Sequence, residues 1–365
     1  MNGLVRIGNS WSQTLNSRSI TLNLPITKSQ TPAKPNDFLI MYNIEKLTRH
    51  RKLPHCEYPR AIDIALHGLQ PLPAELPLVS FETAQAYRSQ RFNIVTASSL
   101  DTEKLLQFAR VVAISFAKND PMLRHLQIPS ECPAGLLDIT HKDPFGDDGF
   151  GEWTKENILF WFIRLFVFTS PFSPLEAITA NDNVLKQSLV ALNSEGQVVG
   201  GAFNVNIDLK QATLTMRDND AFIKAVFPFF EPVSKATIPQ LNVAINRLCK
   251  TYPAFLAALK KGKVGDINMV ARSPLLPSED TFELVAASVL HFQKLGFEYL
   301  VVSAGNQWTG AACEILGGVT AHYTPYRVAK MLDESAEPIP NKPSSKDGFI
   351  SDKDSGCMVY VIRLK

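Results

Sequence analysis

The residues of this sequence with the types and spacing to move a proton are few. Asp120 stands in Asn119-Asp120-Pro121, directly after an apolar helical stretch, and the same three residues are good turn formers. Cys313 and Thr309 lie one turn apart on one face of a helical stretch from Gln307 to Leu316. A thiol has a reference pKa of about 8.5, so Cys313 has the chemistry of a proton donor, with the Thr309 hydroxyl as an alternative. A helix cysteine also serves simply as a small hydrophobe. His125 and His291 are lone histidines on helical stretches and read as structural. Five cysteines (Cys56, Cys132, Cys249, Cys313, Cys357) are odd in number and widely spaced, with no CxxC, which argues against a disulfide framework or a zinc cluster. No metal site is expected, and a reducing, cytoplasmic setting is.

Such groups need a scaffold, and the composition provides for one. The chain has 365 residues, 45% of them hydrophobic and 20% charged, enough for a sizeable core. Its net charge of +2 offers no field to draw in nucleic acid or an anionic membrane. The most apolar run, Ile158 to Phe168, contains Arg164 and is too short to span a bilayer, so it reads as a buried helix. Its rings Trp161, Phe162, Phe166 and Phe168 either pack the core or line an apolar acceptor pocket. Residues 1–40 are Ser/Asn-rich and read as a flexible tail. Residues 41–90 carry recurrent prolines and read as an irregular extension wrapping the domain.

From residue 91 to 365 the pattern is that of one domain. Phe92 to Ser98 reads as a strand, and Asp101 caps a helix ending near Asn119. After a glycine-rich loop (Gly146, Gly149, Gly151) comes a helix from Trp153 to Phe168. Leu189 to Leu192 and Val198 to Val205 flank the turn Asn193-Ser194-Glu195-Gly196 and read as a hairpin. Residues 209–262 form a helical insertion, with helices near Asp220 to Phe230 and Pro239 to Lys260. A strand from Val264 to Ala271, a helix from Ser278 to Leu295, a strand from Tyr299 to Ser303, a helix from Gln307 to Leu316 and two final strands follow. Strands alternating with amphipathic helices imply an α/β layered fold, and strand–helix–strand makes Val264 to Ala271 and Tyr299 to Ser303 parallel neighbours.

With these elements in place, the sequence resembles the GNAT superfamily of acyl-CoA-dependent acyltransferases. Ser188 to Asn204 resembles its central hairpin, Asp266 to Ser303 its cofactor-binding strand–helix–strand, and Asn306 to Gly318 the helix after its fifth strand. The helical insertion and Phe116-Ala117-Lys118-Asn119-Asp120-Pro121 are similar to the arylalkylamine N-acetyltransferase branch. The resemblance implies a mixed twisted sheet with helices on both faces and a helical insertion between strands 3 and 4. It also implies a wedge where the two parallel strands part. It places acetyl-CoA, as co-substrate, against Met269, Val270, Ala271, Ser278, Thr281 and Asn306, with backbone amides of Met269 to Ala271 polarising the acyl carbonyl. Asp120 inherits the role of general base for the amine, with Asp266 as a second candidate. Cys313 aligns with the family's tyrosine acid, so Cys313 or Thr309 would protonate the leaving thiolate.

One segment departs from the pattern. The family holds pyrophosphate with R/Q-x-x-G-x-G/A, positions that fall here near Leu276, Glu279 and Thr281. There is no glycine, Pro277 lacks a donor, and Glu279 and Asp280 carry negative charge. Ser278 would cap the helix, with the two acids favouring its first turn. Two functions are therefore in play: an N-acetyltransferase acting on a small primary amine, and a catalytically inactive GNAT-fold protein that binds a ligand or partner. A third is transfer from a carrier without a CoA nucleotide, such as an acyl carrier protein.

Overall fold

A computed structural model describes residues 69–88, 91–120, 123, 153–169, 179–207, 241–277, 280–325 and 356–365. Most of residues 1–90, the glycine-rich loop, His125, Ser278 and the expected helix near Asp220 to Phe230 lie outside them.

The helices are α1 (Phe81–Ala86), α2 (Thr102–Asn119), α3 (Lys155–Val167), α4 (Asp182–Leu185), α5 (241–251), α6 (Pro253–Lys260), α7 (Asp280–Lys294) and α8 (Gln307–Ile315). The strands are β1 (Asn93–Thr96), β2 (Leu189–Leu192), β3 (Val198–Asn206), β4 (Val264–Arg272), β5 (Tyr299–Ala304), β6 (Val319–Pro325) and β7 (Gly356–Arg363). They form one mixed sheet in the order β1-β2-β3-β4-β5-β7-β6, in which β4–β5 is a parallel pair and the other neighbours are antiparallel.

Local chemistry explains the boundaries. The Asp101 carboxylate accepts the Lys104 amide at 2.8 Å and starts α2. At the hairpin, Asn193 Oδ1 accepts the amides of Glu195 and Gln197, and Gly196 takes φ of 75°. The single helix expected from Pro239 to Lys260 is instead two, broken at Tyr252. Pro253 has no N–H to continue α5, but its fixed φ suits the first turn of α6. The first strand is also shorter than expected, because Ala97–Ser99 turns into a 3-10 helix.

Helices cover both faces. On one, α2 and α3 pack over β2–β4 around Phe108, Phe203 and Ala271, while α5 and α6 pack over β4–β7 around Val264, Val301 and Val359. On the other, α7, α8 and α1 cover Ile267, Val302 and Tyr360. Residues 70–88 form a strap. Arg247 donates to the Gln70 carbonyl, Tyr252 Oη to that of Pro73 at 2.6 Å, and the Val79 amide to that of Arg363. The strap passes Gly317 at the end of α8 and then carries α1 against α7.

Candidate active site

β4 and β5 pair from Val264↔Tyr299 to Ile267↔Val302 and no further. Beyond that point β4 stays with β3 as far as Arg272↔Gly200, and β5 stays with β7 as far as Ala304↔Met358. The two strands therefore part toward their carboxyl ends and leave a wedge, as the resemblance implied. In parallel sheets, ligands bind outside such carboxyl ends.

A bulge bends β4 where it leaves β5. Met269 lies opposite Phe203 and Ile267 opposite Asn204, so Asn268 has no counterpart on β3, and it is exposed inside an otherwise covered strand. Asn204 pins the bulge. Its amide donates to Ser188 Oγ at 3.2 Å, and its Nδ2 donates to the Gln187 carbonyl and to Ser288 Oγ of α7 at 2.9 and 3.1 Å. The sequence does carry a signal for Asn268: a polar residue of low strand propensity inside an apolar strand.

Hydrogen bonding sorts the β4 amides. Ser273 donates to Val199 on the β3 side. Successive amides of a strand face opposite edges, so those of Ala271 and Met269 face β3, while Arg272 and Val270 face the wedge. The Arg272 amide is taken by Ser115 Oγ at 3.4 Å. Val270, half-buried, is thus the one of the three expected residues whose N–H is aimed into the wedge.

On the face shared by α2 and α5, three titratable groups come together. Asp120 is the C-cap of α2, Asp266 projects from β4 and Cys357 from β7; all three are buried. Burial pushes the Cys357 thiol up to about 12, helped by the charges of Asp120 and then Asp266. Asp120 serves the turn that its sequence promises, its Oδ1 accepting the Leu123 amide at 2.9 Å. Asp266 is pushed up to about 7 by burial, and its Oδ1 has no hydrogen-bond partner among the described residues. A buried carboxylate oxygen without a donor is costly and points to a missing partner.

The α8 residues divide. Asn306 Oδ1 accepts the Thr309 amide at 3.0 Å and the Thr309 hydroxyl at 3.3 Å, so Asn306 caps the helix and orients Thr309. Asn306→Ala is expected to destabilise the protein by about 1 kcal/mol in denaturant melts. Cys313 is fully buried in the core under α8, and burial followed by the Glu314 charge raises its pKa far above the ordinary thiol range. Glu314 accepts from the buried Tyr360 hydroxyl at 2.9 Å. Thr281 is buried in the first turn of α7, beside Asp280, which forms an ion pair with Arg91.

The remaining singled-out residues have packing roles. His291 bonds the Lys186 carbonyl at 2.9 Å. Trp161 and Phe168 are buried; Phe162 and Phe166 are half-buried, the latter ring 6.5 Å from that of Phe203. An open depression of about 520 Å³ bordered by Glu75, Leu78 and Arg363 sits at the opposite end of β5 from the wedge. Among the described residues, no group of three metal-ligating side chains occurs and no helix is long and apolar enough to cross a membrane.

No protein-family model matches the chain, and no curated protein matches its sequence. Solved structures do. Arylalkylamine N-acetyltransferase 2 from Aedes aegypti is similar over 76% of this chain and 100% of its own, at 14% identity and a TM-score of 0.42. An agmatine N-acetyltransferase in its apo form matches over 75% of this chain and 100% of its own, at 12% identity and a TM-score of 0.41. A polyamine N-acetyltransferase from Drosophila melanogaster covers the same shares, at 10% identity and a TM-score of 0.39. At those levels nothing about activity passes from them to this chain.

Proposed function

We propose that this chain transfers an acyl group, in the simplest case acetyl from acetyl-CoA, to a small primary amine bound beside Asp266 and Asp120. The observation that carries the reading is the buried Asp266 carboxylate, with one oxygen unpartnered, on the strand that borders the wedge. The amine nitrogen attacks the thioester carbonyl carbon; the C–N bond forms as the C–S bond breaks. The proton leaving the nitrogen goes to Asp266, whose pKa near 7 suits a base at neutral pH. Asp120 adds negative charge that favours a cationic acceptor. The Val270 amide is aimed to stabilise the oxyanion. The leaving thiolate takes its proton from solvent water: the buried Cys313 thiol holds its proton too tightly, and the Thr309 hydroxyl, a weaker acid still, donates to Asn306 and serves to orient the site.

The test is thiol release from acetyl-CoA against a panel of primary amines. Asp120→Asn and Asp266→Asn should each lower kcat/KM about 100-fold. Wild-type kcat/KM should rise with pH through about 7, because the base must be unprotonated, and Asp266→Asn should lose that limb. A folded wild type that turns over no amine defeats the proposal. It would favour a second reading, a binding protein without catalysis, for which the internal hydrogen bonds of the Ser273, Leu275, Leu276 and Asp280 amides speak.

A further inference from the structure

We infer that the end of the sheet where β4 and β5 begin is a surface that docks on an anionic lipid bilayer. Two turns build it side by side. α6 closes with the Lys263 amide on the Ala258 carbonyl at 2.9 Å and Gly262 at φ of 65°. α7 closes with the Phe297 amide on the Phe292 carbonyl at 3.1 Å and Gly296 at φ of 79°. The Lys263 carbonyl accepts the amides of Glu298 and Tyr299 at 2.9 and 3.3 Å, and a Cβ at Gly296 would lie 3.8 Å from Lys263 Nζ. The turns thus present Lys260, Lys261, Lys263 and Lys294 together, with Leu295, 40% exposed, among them. Further along the same end, the Leu364 amide donates to the Glu298 carbonyl, and Leu78, 55% exposed, bridges Arg363. Strand spacing puts Leu78 about 15 Å from Lys263.

The charge is not spent within the chain. Lys260, Lys261 and Lys294 are exposed, and none of the three forms an ion pair among the described residues. Within 260–263 and 294–298 the sole acid is Glu298, and Arg363 is already neutralised by Glu75. Four lysines against Glu298 and two helix carboxyl ends of about half a negative charge each leave about two net positive charges. The whole chain's net charge of +2 predicts no attraction to a bilayer; concentration on one end supplies it locally. The chemistry favours lipid over nucleic acid. All four cations are lysines, point charges without the guanidinium fork that grips a phosphate. The rings nearby, Phe297 and Tyr299, are buried and offer no base a stacking face. Exposed leucines flanked by lysines suit the headgroup layer, the leucines entering the acyl boundary and the lysines meeting anionic headgroups. The wedge lies at the opposite end of β5 and stays open to solvent in that pose.

Co-sedimentation of the full chain with vesicles tests this. Phosphatidylcholine vesicles with about 30% phosphatidylserine should bind at least about tenfold more strongly than phosphatidylcholine alone at low ionic strength, and lose most of that binding by about 0.5 M salt. Lys261→Glu combined with Lys294→Glu should weaken binding to the anionic vesicles about thirtyfold, and Leu295→Ser about fivefold, with thermal melts unchanged. Equal binding to neutral and anionic vesicles, no binding to either, or a folded double variant that binds as the wild type does would each overturn the inference. A single-stranded oligonucleotide bound more tightly than the anionic vesicles, and lost in the same double variant, would assign the surface to nucleic acid and overturn it too. Should a variant fail to fold, the wild-type comparison between the two lipid compositions still decides.

Discussion

Replacing Asp266 with Asn is expected to flatten the dependence of stability on pH between about 4 and 7. In the folded chain the Asp266 carboxyl is held up to about 7 by burial, against an ordinary value of 3.8. Between those values the folded state keeps a proton that the unfolded state has released, so stability falls as pH rises. The contribution is fully present below the unfolded pKa and gone above the folded one. The loss amounts to about 4 kcal/mol across the window. That is a large fraction of a typical domain's stability. Urea melts at pH 4.5 and 7.5, with the variant run beside the wild type, isolate this group from other titrations. Equal slopes for the two proteins would show that Asp266 is not buried as described. An amine that binds the ionised form should offset part of the loss at pH 7.5 by mass action.

Phe108→Ala should cost about 3–5 kcal/mol and lower Tm by on the order of 10 °C. Phe108 is fully buried in α2, its ring stacked 4.6 Å from that of Phe203 at an interplanar angle of 24°. The ring sits directly over Gly201: a Cβ at that position would lie 2.5 Å from Phe108 Cε2 and 2.4 Å from the Leu189 carbonyl oxygen. The fit is therefore tight in both directions. Removing the ring leaves a cavity, and Gly201→Ala forces β3 away from β2, because backbone cannot yield as a side chain can. Since α2 ends in Asp120 and Gly201 pairs with Ala271, either change should also move the carboxylates relative to β4. A loss below 1 kcal/mol for Phe108→Ala would mean that α2 does not depend on this contact.

Much of the fold is legible in the sequence because its signals are local. Asp101 announces α2, Asn193 to Gly196 announce the hairpin, and the apolar spacing from Phe282 to Phe292 announces the helix that links β4 to β5. Legibility stops where a residue's environment is made by distant chain. Glu279 and Asp280 read only as first-turn charges of the helix, whereas Asp280 is buried there and pairs with Arg91, 189 residues earlier. Asp266 is visible as a carboxylate in a strand, but its burial depends on α2, β7 and the insertion meeting over one face. The bulge at Asn268 depends on the register against β3, which no short window contains. Cys313 aligned well and is chemically poor for the opposite reason: alignment fixes a position on the helix, whereas packing fixes what its sulfur touches.

The strap sets an order of events in folding. Glu75 and Leu76 meet Arg363 across 288 and 287 residues, and the Val79 amide donates to the Arg363 carbonyl. On the ribosome they emerge well ahead of Arg363, and closing so long a loop is slow. Docking of the strap should be among the last steps to complete. An apolar segment that waits so long is a natural client for a chaperone, and loss of β7 would leave the stretch from Glu75 to Val79 without its Arg363 partner.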